Sequence, residues 1–157
     1  MTVWDIREDG RIISVTEELS AQAIYELGKE LDPFVIASGT RMGHVHLSVK
    51  NSQEASSFYQ ESLGLEDKFT IPQASWIASG DYHHHLAVNE WGGKNLALRE
   101  HRMTGLAYYT VEVENKEELL KVFAQSQTSK AITQWLSSAE FSVTDKDGIV
   151  TRVRVGN

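Results

Sequence analysis

Two stretches of this chain, 64 residues apart, carry the same strand and helix-start pattern, and this repeat constrains the fold more than any other feature. The first stretch, GHVHLSVKN, alternates apolar and polar residues and ends at Asn51. The second, LAYYTVEVEN, alternates in the same way and ends at Asn115. Alternation predicts a half-buried strand, and an asparagine three residues before a glutamate predicts a helix start. The repeat therefore predicts a duplicated strand–helix unit.

Each predicted helix is followed by three stretches with strand character. These stretches are 68–72, 74–78 and 83–89 in the first half, and 132–136, 140–144 and 149–155 in the second. The Asp147-Gly148 pair predicts the turn of the last hairpin. The sequence thus predicts an α+β fold of two βαβββ modules. Their curved, largely antiparallel sheets should lie side by side around a cleft, with the helices outside.

A chain of 157 residues is long enough for one domain with a substantial core. We predict that residues 1–40 form an N-terminal linker with a short helix at about 17–31, ended by the proline that follows Asp32. The main domain is predicted at 41–157, with repeats at about 41–100 and 103–157. The helix carries an apolar stripe that we expect to pack on the main domain. The stripe consists of Ala23, Ile24, Leu27 and Leu31.

Composition excludes several classes of function. The net charge of −7 argues against nucleic acid as a partner, because that binding depends on Lys and Arg at the phosphates. The sequence has no apolar run long enough to span a bilayer, so we expect no membrane partner. It also has no cysteine, which rules out disulfides and thiolate ligands and agrees with a cytoplasmic location.

Five of the six histidines lie in two clusters within the first repeat. His44 and His46 share the polar face of the first predicted strand. The second cluster is the run His83-His84-His85. In a regular strand His83 and His85 would lie opposite His84, whereas a bulge would alter this. Imidazole binds iron, zinc and manganese and also transfers protons, but a strand histidine is often only a hydrogen-bonded wall residue. The two clusters together favour a functional site.

Four motifs resemble one family. GHVHLSV, FYQESLGL, GDYHHHLAVNEW and GLAYYTV are similar to stretches of the vicinal-oxygen-chelate superfamily, which includes glyoxalases, bleomycin-resistance proteins and extradiol dioxygenases. The resemblance is closest to catechol-2,3-dioxygenase-like proteins and covers most of residues 41–155. Residues 1–40 resemble the linker between two such modules in longer relatives. The resemblance therefore implies the glyoxalase/dioxygenase fold and the C-terminal module of a two-module chain.

The resemblance also implies roles for individual residues. His44 falls at the position of the first histidine ligand to Fe(II) or Mn(II), and His84 at that of a non-ligand acid–base histidine. The second histidine ligand would lie at position 108, which is Tyr108 here. The carboxylate ligand would lie on the last strand, where Arg152 or Arg154 takes its place. Two of the three ligands of the family are thus missing, which leaves both metal binding and enzymatic activity open.

Three functions agree with this pattern. The first is an extradiol dioxygenase-like domain that lacks its metal and supports a catalytic module elsewhere in a longer chain. The second is a metal-free binding domain of the bleomycin-resistance type, with Tyr82, Trp91 and Tyr108 as aromatic walls and Arg152 as an anion anchor. The third is a glyoxalase-type metal-dependent lyase or isomerase. The expected partners are a small aromatic substrate and either a second copy, as a homodimer, or a fused second module.

Overall fold

The computed structural model of the protein describes residues 6–12, 18–28, 35–93, 95–98 and 103–156. Within these residues the chain forms three helices and eight strands. In chain order they are α1 (Ala21–Leu27), β1 (Val45–Ser48), α2 (Ser52–Leu63), β2 (Glu66–Ile71), β3 (Ala74–Ala78), β4 (Leu86–Asn89), β5 (Tyr109–Val113), α3 (Lys116–Thr128), β6 (Ile132–Ser137), β7 (Glu140–Thr144) and β8 (Val150–Val155). The predicted α+β class is confirmed.

The strands form two sheets of identical topology. Their strand orders are β1-β4-β3-β2 and β5-β8-β7-β6. In each sheet the first strand pairs in parallel with the last one, and the other pairs are antiparallel. Each sheet with its helix is therefore one βαβββ module, as the repeat predicts. We call the unit from β1 to β4 the first module and the unit from β5 to β8 the second module.

Strand β4 is shorter than the sequence pattern predicts. The prediction was a strand at 83–89, whereas β4 spans Leu86–Asn89. The three histidines before it lie in an irregular segment, which we call the histidine segment (His83–His85). Strand alternation does not apply to irregular backbone. The predicted strand at 83–89 is therefore wrong over its first three residues, and the face assignment that holds for a regular strand does not apply to them.

Equivalent asparagines begin the two module helices. The Asn51 side chain accepts hydrogen bonds from the backbone N–H groups of Gln53 and Glu54, both at 3.1 Å. The Asn115 side chain accepts one from the N–H of Glu118 at 3.0 Å. Each cap satisfies N–H groups that have no partner within the helix. Both predicted helix starts are confirmed.

One hydrophobic core joins the two modules. Helices α2 and α3 contact each other, and the Ser126 hydroxyl donates to the carbonyl of Ser62 at 2.8 Å. The core takes residues from both sheets and both helices. Its largest fully buried members are Tyr59, Phe141, Ile77, Leu86 and Leu119. Strands β1 and β5 each lie at the edge of their sheet, and among the described elements they do not contact each other.

The N-terminal region packs differently from the prediction. Helix α1 has no buried residue, so the expectation that Ala23, Ile24 and Leu27 pack on the main domain is wrong. Leu31 lies outside the described residues. Instead, Ile12 is buried, and its N–H donates to the carbonyl of Lys68 at the free edge of β2. No helix in the described part of the chain is long and apolar enough to cross a membrane.

Candidate functional site

Strand pairing in the first module brings the two histidine clusters together. Val45 of β1 pairs with Leu86 of β4, so the residues just before these strands are neighbours. The ring centroid of His84 lies 4.4 Å from that of His44 and 4.2 Å from that of His83. Nitrogen atoms of these three side chains all lie within 4.8 Å of one another. We call His44, His83 and His84 the histidine triad.

His46 extends this cluster along β1. Its Nε2 lies 3.1 Å from Nε2 of His84, so in the metal-free protein one of the two rings must donate the shared proton. His84 is only 9% exposed. Its burial, followed by its histidine neighbours, lowers its pKa to about 3. Burial also lowers the pKa of His46 and of His83. His84 is therefore neutral at physiological pH.

His85 is held apart from the triad. The backbone N–H of Ser79 donates to its Nδ1 at 3.2 Å. The ring of Tyr82 contacts both ends of the histidine segment, with its centroid 4.4 Å from that of His83 and 4.7 Å from that of His85. Tyr82, predicted as a substrate-binding wall, thus contacts the segment directly. His85 is a chemically matched neighbour that does not belong to the triad.

The equivalent face of the second module carries charged pairs instead of histidines. The guanidinium of Arg152 lies 3.6 Å from the ring centroid of Tyr108, a cation–π arrangement, and its Nη1 is 3.5 Å from a carboxylate oxygen of Glu140. Arg154 holds the carboxylate of Glu112 through Nε at 3.0 Å and Nη2 at 2.6 Å. The structure brings the predicted residues Tyr108 and Arg152 together as one stacked pair.

This arrangement does not fit a metal held by two histidines and one carboxylate. Such a site would need ligands at position 108 and on β8, where Tyr108 is covered by a guanidinium and β8 has no Asp or Glu. The nearby carboxylates of Glu112 and Glu140 both face arginines. A guanidinium adds positive charge and cannot ligate a cation. The Fe(II) or Mn(II) site implied by the resemblance therefore does not form at these residues.

A cavity of about 610 Å³ lies between the modules and is larger than the other three cavities described. His44 and His85 line it from the first module, and Thr110, Glu112 and Arg154 line it from the second. The remaining lining residues are Arg41, Met42, Gly43, Val45, Leu65, Ser79, Leu86, Tyr109 and Val111. This volume falls in the usual range of small-molecule sites. The cavity is therefore large enough for a small molecule, and both modules contribute polar groups to its wall.

The structure places one predicted site residue, Trp91, away from the cavity and brings in residues without a predicted role. Trp91 is 64% exposed in the turn after β4, at the end of that strand opposite the histidines. Tyr109 is buried in the core and reaches the cavity only as part of its wall. The sequence predicts a functional histidine cluster at 83–85 but gives His83 no role of its own, and it does not point to Arg41. The Gly80-Asp81 pair before the histidines was the available signal for irregular backbone, because such residues favour turns.

Sequence comparison assigns the chain to a known group of proteins. The family model described as "Glyoxalase/Bleomycin resistance protein/Dioxygenase superfamily" matches residues 41–153. The catechol-2,3-dioxygenase of Bacillus subtilis (strain 168) is 29% identical over 120 residues. These residues are 75% of this chain and 42% of the relative. The chain thus spans less than half the length of that relative.

Solved structures agree with the same fold. A glyoxalase/dioxygenase from Nostoc punctiforme has a TM-score of 0.60 at 16% identity, with 79% of this chain and 97% of that chain covered. A glyoxylase/bleomycin resistance protein/dioxygenase domain from Frankia sp. EAN1pec has a TM-score of 0.57 at 21% identity, with 76% and 100% covered. The fosfomycin resistance protein FosX from Listeria monocytogenes has a TM-score of 0.54 at 13% identity, with 75% and 94% covered. At these identities the likeness concerns the fold alone.

Proposed function

Because the chain belongs to the glyoxalase/bleomycin resistance protein/dioxygenase superfamily, we propose that it binds a small, negatively charged aromatic molecule in the cavity between its modules. The observation that carries this proposal is the cavity itself, which has a ligand-sized volume of about 610 Å³ and walls from both modules. Ligand sites of this kind combine an apolar lining with a few polar groups. Val45, Leu65 and Val111 supply apolar wall here.

The charges around the cavity favour an anion. Glu112 is the only carboxylate among the described residues that line the cavity, and Arg154 already neutralises it. Arg41 has no carboxylate within ion-pair distance among the described residues. A guanidinium binds a carboxylate through two parallel hydrogen bonds. An aromatic carboxylate is therefore the class of ligand that we expect Arg41 to hold.

Ring cleavage by this domain alone is not part of the proposal. A catechol-2,3-dioxygenase is among the relatives of this chain, but of the three ligand positions that the family resemblance implies, one is Tyr108 and another is Arg152 or Arg154. A binding domain of dioxygenase descent, without the iron site of the family, agrees best with this replacement. We retain Arg152 of β8 as a second anion anchor: it is not among the described lining residues of the cavity, and its side chain is 34% exposed.

Calorimetric titration with benzoate and with catechol tests the proposal. We expect benzoate to bind the full chain, and Arg41→Ala to weaken its binding by about tenfold, because one charge-assisted pair contributes roughly 1.5–3 kcal/mol. Arg7→Ala is the matched control, since Arg7 is an exposed arginine of the N-terminal hairpin and does not line the cavity. Arg152→Ala, measured in parallel, tests the second anchor.

Two results would count against the proposal. The first is benzoate binding that neither Arg41→Ala nor Arg152→Ala weakens relative to Arg7→Ala. The second is oxygen consumption by the purified chain with catechol and added Fe(II), because this would require an iron site that the geometry does not support. Oxygen uptake is measured with an electrode and is independent of the binding titration.

Strand β6 lies at an edge of its sheet and does not line the cavity among the described residues, so its edge favours a second protein module as partner. An edge strand presents free N–H and C=O groups that another strand can use. We propose that a second copy, or a fused second module, pairs with the domain here. Light scattering with size-exclusion chromatography distinguishes the two partners, because a homodimer doubles the mass of 17.6 kDa whereas a domain built for a fused partner stays monomeric.

A further inference from the structure

The histidine triad has the composition and geometry of a metal site that lies entirely within the first module. We propose that His44, His83 and His84 bind one Zn²⁺ ion, or a chemically similar divalent cation, per chain. This site differs from the one implied by the family resemblance, since it needs no ligand from the second module. It does not depend on the proposed function, because the proposed anion anchors are arginines.

Distances within the triad are close to those of a tetrahedral metal. Nitrogen ligands 2.0–2.1 Å from one Zn²⁺ lie roughly 3.3 Å from each other. The triad nitrogens lie within 4.8 Å of one another, so the side chains must move by about 1 Å or slightly more to bind a common ion. The irregular backbone of the histidine segment allows His83 and His84, although adjacent in sequence, to face the same point.

The three imidazole ligands determine which metal ions suit the site. Three imidazoles without a carboxylate or thiolate suit Zn²⁺, Ni²⁺, Cu²⁺ and Co²⁺, whereas Mg²⁺ and Ca²⁺ require oxygen ligands. Three histidines leave a fourth position for water or for a ligand. Because His44 also lines the cavity between the modules, that open position would face the cavity.

Residues around the triad orient it. Tyr82 packs against His83 at a steep angle, 63° between the rings, and His84 is buried. His46 Nε2, at 3.1 Å from His84 Nε2, is close enough to orient His84 by a hydrogen bond or to join the same ion. The neighbour of His46 on β4 is Ala87, a small residue that leaves room beside the rings. The first module thus has both the ligands and the space.

The competing explanation is that the histidine segment chelates metal by itself, because short histidine-rich tracts bind metal without a folded site. The two explanations differ in their dependence on His44 and His85. The proposed site needs His44, which lies 39 residues before His83 in the chain, and does not need His85. A simple run uses His83, His84 and His85 and is indifferent to His44. Single substitutions therefore separate them.

The experiment is calorimetric titration of the chelator-treated full chain with Zn²⁺. We expect one ion per chain, with affinity lowered by about tenfold or more in His44→Ala, His83→Ala and His84→Ala, because each loses a ligand. His85→Ala is the matched control and should bind like the wild type. His46→Ala separates a fourth ligand from an orienting residue: loss equal to that in His44→Ala means a ligand, and a smaller loss means orientation.

A second measurement guards against variants that fail to fold. Circular dichroism checks the metal-free variants, and Zn²⁺ should raise the melting temperature of the wild type and of His85→Ala only. His44→Gln replaces His44→Ala if the latter does not fold. No Zn²⁺ binding by the wild type overturns the proposal, and so does binding lost in His85→Ala but retained in the His44 variant. Benzoate titration in the presence of chelator tests the proposed function separately, so that either idea can fail alone.

Discussion

On the sheet faces that pack against the helices, both modules have fully buried apolar residues. Ile77 and Phe141 are 64 residues apart, occupy equivalent strands and are both fully buried. Val49 and Leu119 are likewise fully buried against this shared core. These positions must exclude water in both modules, so only apolar side chains serve there.

On the opposite sheet faces the two modules have different types of side chain. In the first module His46 lies beside Ala87, whereas in the second the equivalent neighbours are Thr110 and Arg152. The first face collects imidazoles with room between them, and the second collects guanidinium and carboxylate groups that pair with each other. We conclude from this difference that the helix-facing residues maintain the fold that the two modules share. The opposite faces were free to acquire separate chemistry.

The largest expected effect concerns the shared core. Phe141→Ala should lower the free energy of unfolding by about 3–5 kcal/mol, because it removes a fully buried ring and leaves a cavity. Ile77→Ala should cost about 2–5 kcal/mol. Urea denaturation should show one transition in both variants, since the modules share one core. Ile132→Ala, at an exposed position, is the control. A separate early transition in Phe141→Ala would mean that the modules unfold independently.

The next effect concerns the buried contact that links α2 to the second module. The Tyr59 hydroxyl donates to a carboxylate oxygen of Asp145 at 2.7 Å. Burial raises the pKa of Asp145 above 3.8, and the hydrogen bond from Tyr59 partly offsets this. Tyr59→Phe should cost about 1.5–3 kcal/mol near neutral pH, because hydrogen bonds to charged groups are the stronger ones.

The pH dependence follows from the raised pKa. Folding favours the protonated form of Asp145, so its contribution to stability is complete below pH 3.8 and is lost as the pH rises through the folded-state pKa. The hydrogen bond from Tyr59 matters most once Asp145 is ionised. Urea unfolding should therefore show a smaller cost of Tyr59→Phe at acid pH. In an Asp145→Asn background the pH dependence should disappear, and its persistence would assign the effect to another group.

The two module helices end differently, and substitutions after them should change the stability of the protein in opposite directions. Helix α2 ends at Gly64, with φ of 70°, where an added Cβ would lie 3.1 Å from Oε1 of Gln125. After α3 the left-handed position, with φ of 58°, is occupied by Lys130. Gly64→Ala should therefore destabilise the protein by about 1–2 kcal/mol, and Lys130→Gly should stabilise it by about 0.5–1 kcal/mol. Thermal unfolding measures both, and equal signs would contradict this account.

The smallest expected effect is on the second module's charged face. Arg154 and Glu112 form an ion pair at 2.6 Å, but both side chains are about half exposed. Glu112→Gln should change the free energy of unfolding by less than about 1 kcal/mol, because water and salt screen exposed pairs. The change should shrink further at high salt. If high salt does not reduce the loss of stability in Glu112→Gln, then Glu112 stabilises this face by more than its charge.

Much of the frame was readable from the sequence because it depends on local signals. Alternation, helix caps and the repeat spacing predicted both modules, and Asn51 and Asn115 cap their helices as expected. The family resemblance, read from sequence motifs, also predicted that Tyr108 and either Arg152 or Arg154 stand where metal ligands would lie. These features depend on residue type and short spacings, which the sequence states directly.

The composition of the candidate site was decided by tertiary structure. Whether His83 or His85 joins His84 depends on the backbone before β4, and the sequence pattern favoured a regular strand where the structure has an irregular segment. The apolar stripe of α1 predicted packing that does not occur, since exposure depends on neighbours that the pattern does not contain.

The sequence by itself determined a duplicated α+β domain, its helix starts, and the presence of tyrosine and arginine where the family resemblance implies metal ligands in the second module. Only the tertiary structure determined that His44 meets His83 and His84, that Arg152 stacks on Tyr108, and that a cavity lies between the modules. The physical reason is that secondary structure follows local backbone preference and polarity. Contacts between distant side chains depend on strand pairing and on the course of irregular segments, which one sequence does not fix locally.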